Sequence, residues 1–139
     1  MASYNKFRSF VEALAEKSHN LGSDTLKIML TNVAPVNTNT VKADLTDIAA
    51  GSGYTAGGTA ITITASAQTA GVYKLTGNDV VFTASGGSIG PFRYATMYND
   101  TATNDELIGW WDYGSSITLA SGETFTVDLD QTNGILTIT

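Results

Sequence analysis

The chain has no cysteine, one histidine (His19), two prolines and only 7 basic side chains in 139 residues. Without cysteine there is no disulfide scaffold, no thiolate zinc site and no thiol nucleophile. A single histidine rules out a multi-histidine metal centre. The 7 basic residues face 13 acidic ones, a net charge of −6. Phosphate recognition runs on Lys and Arg, so nucleic acid is not an expected partner. No apolar run approaches the ~20 residues of a membrane helix, and residues 1–10 lack the apolar stretch of a signal peptide, so no membrane partner is expected. The length is that of one domain, 1–139, able to bury a core but short for an elaborate catalytic apparatus as well. No cofactor is expected.

What is abundant is threonine. The sequence holds 21, none before Thr25. β-Branched side chains suit a pleated, half-buried surface, so the chain is β-biased from there on. Charge is polarised too. Residues 1–74 carry six basic and five acidic side chains, whereas residues 75–139 hold Arg93 against eight acids, a local net of −7. The C-terminal half therefore presents an acidic surface suited to a neutral or basic partner.

Residues 1–22 read as an N-terminal helix and its cap. Phe7, Phe10, Val11 and Leu14 recur at i, i+3, i+4 and i+7, with Ser3 or Asn5 as the N-cap and His19-Asn20-Leu21-Gly22 as the stop. From Thr25 the period becomes two: Leu26, Ile28 and Leu30 alternate with Lys27, Met29 and Thr31. Asn32 to Thr40 reads as a long connection, Val41 to Ala50 as a short helical turn capped by Asp44 or Thr46, and 51–58 as a glycine-rich loop around Tyr54. Further strands are expected at Ala60–Thr69, Val72–Leu75, Val80–Ala84, Phe92–Tyr98, Leu107–Tyr113, Glu123–Asp130 and Ile135–Thr139. Ala60–Thr69 should turn Ile61, Ile63, Ala65 and Ala67 inward. Phe92, Tyr94, Thr96 and Tyr98 should share one face, opposite Arg93, Ala95 and Met97. Asn133-Gly134 is the strongest two-residue hairpin signal. Short strands at this spacing predict a mainly β fold, an antiparallel β-sandwich or jelly roll over 23–139 carrying the N-terminal α-helix.

Three constellations are candidates for chemistry. His19 with Ser18 or Ser23 and an Asp could be drawn as a triad, but at a helix end a histidine meets the last carbonyls, and capping is the expected role. The Gly86–Gly90 run leads into Pro91 and a strand, so it lacks the helix N-terminus that a phosphate needs. Asp128 and Asp130, two apart on one strand face, are calcium candidates, with a solvated acidic face as the preferred reading. The remaining signal is aromatic: Trp110-Trp111-Asp112-Tyr113, close to Phe92, Tyr94 and Tyr98. Adjacent tryptophans point to opposite faces of a strand. One should fill the core, while the other packs under the helix, meets a subunit or serves as a sugar platform.

Several stretches, taken together, resemble a family of small virion structural proteins of tailed bacteriophages and prophages. They are Tyr4-Asn5-Lys6-Phe7, Phe10-Val11-Glu12, Asn20 to Lys27, Asn32 to Asn37, Ile89 to Tyr94, Tyr98-Asn99-Asp100, Leu107 to Trp110, Asp112 to Ser116 and Gly122 to Asp128. The likeness covers nearly the whole chain. It implies a capsid decoration or cement protein, not an enzyme, made in the host bacterial cytoplasm and sited on the capsid surface. The major capsid protein and further copies of the same chain would be its partners. Neck, tail or fibre components and a particle-borne carbohydrate-binding module are the alternatives. The expected contact residues are Phe7, Phe10 and Leu14, Tyr54 in the 51–58 loop, and whichever of Trp110 and Trp111 faces outward.

Overall fold

The computed structural model describes residues 2–139. Its strands are β1 (Tyr4–Lys6), β2 (Leu26–Thr31), β3 (Thr59–Ala60), β4 (Ile63–Thr69), β5 (Val72–Gly77), β6 (Val80–Thr83), β7 (Ile89–Asn99), β8 (Leu107–Leu119), β9 (Thr124–Val127) and β10 (Leu136–Ile138). One short helix, α1 (Ser9–Ala15), lies between β1 and β2, and Lys42–Asp44 forms a 3-10 turn. The strands make antiparallel sheets of five (β1-β8-β7-β2-β3), three (β10-β5-β4) and two (β6-β9). No helix among the described residues is long and apolar enough to cross a membrane. The mainly β, antiparallel expectation is met.

The helix expected over residues 1–22 is shorter, with a strand in front of it. Tyr4, Asn5 and Lys6 pair with Trp111, Trp110 and Gly109 of β8, so Ser3 and Asn5 are not caps. Arg8 takes the N-cap position without a side-chain bond. The far end closes early. Ser18 N–H reaches Ala13 O at 2.8 Å, Lys17 N–H reaches Leu14 O, and Lys17 is left-handed at φ 71°. This is a Schellman closure with lysine in the place glycine usually takes, so no glycine marks it. Phe10 is buried, but Val11, expected on the apolar stripe, is 53% exposed.

The five-stranded sheet has cover on both faces. Leu26, Ile28 and Leu30 of β2, Ala95 and Met97 of β7, and Ile108 of β8 join a large core with Leu75, Val80, Phe82, Val127 and Leu136 from the smaller sheets. On the other face Met29, Tyr98 and Leu107 pack with Phe7 and Leu45. β2 is thus buried on both sides; Met29 and Thr31 are as inaccessible as Leu30. Leu45 covers this second face and Tyr54 joins the large core, and the chain between them and up to Gly57 is pinned by phenols. Tyr54 Oη accepts the Leu30 N–H and donates to Asp47 Oδ1 at 2.5 Å, Asp47 Oδ2 accepts the Gly57 N–H, and Tyr98 Oη donates to Gly57 O. Burial and the bond to Asp47 push the Tyr54 phenol far above its ordinary pKa, so it stays a donor. The 51–58 loop is a tight turn held down on the sheet.

Three expectations of facing and pairing change. Phe92 packs in the large core with Ala95 and Met97, not on the face of Tyr98. Irregular register between Phe92 and Tyr94, opposite the Tyr113–Ser116 excursion of β8, moves it across; a one-residue slip exchanges faces. In the stretch 60–69 only Ile61 is buried, and Ala65 and Ala67 are exposed. Finally, Asn133-Gly134 joins no hairpin: β9 pairs with β6, and β10 pairs with β5. Asp130 shapes that turn instead, its Oδ1 accepting the N–H groups of Thr132 and Asn133.

Candidate contact site: an aromatic cleft beside β8

β8 places Trp110 and Trp111 on opposite sheet faces, and both are partly buried. Trp110 stacks on Phe7 at 4.5 Å between centroids, while Trp111 meets Tyr4 edge-on at 5.5 Å. The Tyr4 ring lies over Gly109, where a Cβ would collide with it, so the position of that ring depends on the glycine. Trp111 also forms one wall of a cleft of about 210 Å³, together with Tyr113, Phe125, Arg93 and Asp128. Tyr113 is 53% exposed and stands edge-on to Phe125 at 5.4 Å; Phe125 meets buried Phe92 in the same way at 4.9 Å. The ring ladder runs from the core to the surface.

Arg93 supplies the polar edge. Its Nε donates to Asp112 Oδ1 at 2.8 Å and its Nη2 to Oδ2 at 3.1 Å, a bidentate pair, and the guanidinium lies 5.4 Å from the Tyr94 centroid. Asp112 Oδ1 also accepts the Gly114 N–H. Arg93, then Gly114, holds the Asp112 carboxyl below the usual carboxylate range, and Asp112 raises the guanidinium in turn. Both side chains are substantially exposed, so the pair fixes direction more than it stabilises the fold. The only basic residue of the acidic half is thereby oriented along the cleft.

The other expected contact residues lie elsewhere. Phe7, Phe10 and Tyr54 are buried, with their rings inside the chain instead of on its surface; Leu14 is partly buried against the large core. Asp128 follows β9 and Asp130 sits at φ 43°, so they do not form one strand face. Asp128 Oδ1 accepts the Asp130 N–H, and Asp130 is committed to its turn. Among the described residues, no three His, Asp or Glu side chains cluster as metal ligands would. Nothing in the sequence singles out the Arg93–Asp112 pair or Phe125. The alternation of 124–127 is visible there, but not that Phe125 would meet Tyr113.

His19 does not cap the helix. Asn99 Oδ1 accepts two N–H groups, from Thr101 and Ala102, which fixes its amide orientation; its Nδ2 then donates to His19 Nδ1 at 2.9 Å and to Asp24 Oδ2 at 2.7 Å. His19 is thereby neutral with its proton on Nε2, an atom buried without a partner. Burial lowers the pKa from its ordinary 6.5, against the opposing charges of Glu106 and Asp24. Below about pH 6.5 the unfolded histidine binds a proton before the folded one does, so stability is lost as pH falls toward the folded pKa. We expect the urea midpoint to drop on acidification from pH 7 through the titration range of a free imidazole. His19→Gln should flatten that dependence.

Compared with protein-family models, with curated proteins and with solved structures, the chain matches none.

Proposed function

We propose that the protein is a virion structural component of a tailed bacteriophage, a decoration (cement) protein that lies on the capsid surface and bridges major capsid subunits without catalysing a reaction. The aromatic cleft carries this reading. It offers Trp111, Tyr113 and Phe125 as accessible rings around a fixed guanidinium, and interfaces draw most of their binding energy from such aromatic and arginine anchors. The sequence likeness to virion proteins supports the same reading. The excess of acids in residues 75–139 suits a neutral or basic capsid surface as well. Within this proposal the sheets are the layers of a β-sandwich or jelly roll. The large core, drawn from one face of the five-stranded sheet and from both smaller sheets, supports that arrangement. An interface of ~1,600 Å² repeated over the shell would suffice for stable attachment.

Purified protein is expected to bind isolated expanded heads and raise the temperature at which they release DNA. Trp111→Ala, with the fold checked by circular dichroism, should weaken binding at least about tenfold. Binding to tails or necks instead of heads would overturn the head assignment in favour of a neck, tail or fibre component. A carbohydrate-binding module is the second reading, favoured by Trp111 and Tyr113 standing beside the Arg93–Asp112 pair, since sugars use ring faces flanked by polar groups. Glycan binding lost with Trp111→Ala, without head binding, would select it.

A further inference from the structure

We propose that β4 is a self-pairing edge, through which two copies of the chain join their three-stranded sheets into one six-stranded sheet. β4 has β5 on one side and no strand on the other. It spans seven residues, Ile-Thr-Ala-Ser-Ala-Gln-Thr, of which six are exposed. Unpaired edges are normally guarded by brevity, proline or charge. β1 and β10 have three residues each and β3 has two, whereas β4 has none of these guards.

The ladder fixes which groups are available. Ala70 and Gly71, at φ 52° and 84°, form a type I′ turn, so Thr69 and Val72 are a hydrogen-bonded pair, as are Ala67 and Lys74 two residues on. The amide groups of Ser66 and Gln68 therefore point out of the sheet edge, and no described residue bonds them. They flank Ala67 symmetrically. A two-fold axis through Ala67 would pair Ser66 of each copy with Gln68 of the other and set the two Ala67 residues opposite one another at a non-hydrogen-bonded position.

Charge selects a second copy as the occupant. The chain carries a net −6, so most self-contacts would bring acids together. Residues 48–73 contain no Asp, Glu, Lys, Arg or His, and β4 lies within them. This edge can meet itself without like-charge repulsion, and its outer face of Ala65, Ala67 and Thr69 is small enough to let the neighbouring backbone approach.

Sedimentation velocity on the purified chain should give twice the 14.6 kDa chain mass at high concentration. Ala67→Lys places two ammonium groups across the axis and should weaken the dimer at least about tenfold while leaving the thermal midpoint of dilute protein unchanged. Because the chain has no cysteine, Ala67→Cys gives an independent readout. Non-hydrogen-bonded partners lie ~4.5 Å apart at Cα, within disulfide range, so mild oxidation should yield a covalent dimer faster than the exposed Val81→Cys control. A monomer at every concentration, a dimer indifferent to Ala67→Lys, or cross-linking no faster than the control would each overturn the proposal.

Discussion

Gly58→Ala is expected to destabilise the protein by about 3–5 kcal/mol, a large share of what holds a domain of this size together. Two costs coincide at this residue. Its φ is +84°, a left-handed conformation that costs a residue with a Cβ about 1–2 kcal/mol. That Cβ would also be driven into the Ile28 carbonyl, which belongs to the central strand β2 and cannot yield as a flexible side chain would. Relief requires β3 to move away from β2. The Thr59–Ile28 and Ala60–Lys27 pairing and the bond from Ile61 N–H to Leu26 O would go with it. Gly122→Ala provides the contrast: its φ is +93°, but no atom lies within 4 Å of the added carbon, so only the conformational cost of about 1–2 kcal/mol remains. Urea unfolding of both variants checks the difference.

The second large effect concerns the buried amide of Asn99, which is fully inaccessible. Asn99→Asp preserves the oxygen that accepts the Thr101 and Ala102 N–H groups but replaces Nδ2 with a second oxygen. That oxygen would lie about where Nδ2 now sits, 2.7 Å from Asp24 Oδ2 and 2.9 Å from His19 Nδ1. Two carboxylate oxygens at that distance repel, and two donated bonds are lost. We expect a loss of roughly 3 kcal/mol at neutral pH. The pH dependence should also invert. A carboxylate facing Nδ1 favours imidazolium, so the folded pKa of His19 rises above its ordinary value. The folded state then binds the proton first, and stability grows as pH falls through that raised pKa, where the native chain becomes less stable below about 6.5. Urea midpoints on both sides of neutrality read the change of slope.

The parts of the fold legible in the sequence are strand starts marked by a turn residue and followed by period-two alternation. β2, β6 and the first half of β8 begin where alternation and turn residues place them. β1 is hidden because Tyr4-Asn5-Lys6 continues smoothly into a helical spacing at Phe7 and Phe10; its strand partner, β8, lies a hundred residues away. The helix stop is hidden because Lys17 takes a left-handed conformation that lysine does not advertise. Phe92 changes faces through a bulge, which shifts periodicity without any composition signal. Asn133-Gly134 has the residues of a hairpin turn, yet the strands beside it belong to different sheets. Local chemistry fixes the bend, and packing alone decides which strand each arm joins.

The candidate cleft is half legible for a related reason. Trp111 and Tyr113 stand in one aromatic run, and that concentration can be read directly. Arg93 and Asp112 are nineteen residues apart and meet only because β7 and β8 pair. Phe125 reaches Tyr113 from another sheet. His19 has the sequence position of a cap, but its partner, Asn99, is eighty positions distant.

The pairing of β1 with β8 also bears on synthesis. A ribosome makes residues 4–6 more than a hundred residues before their partners at 109–111. β2 likewise waits for β7. The sheet therefore cannot assemble in the order in which it is translated, and the apolar faces of β2 stay open until β7 has been made. Closing such long loops makes folding slow, and the waiting segment is the one most in need of a chaperone. For this protein the vulnerable interval runs from the synthesis of β2 until β7 and β8 close the sheet.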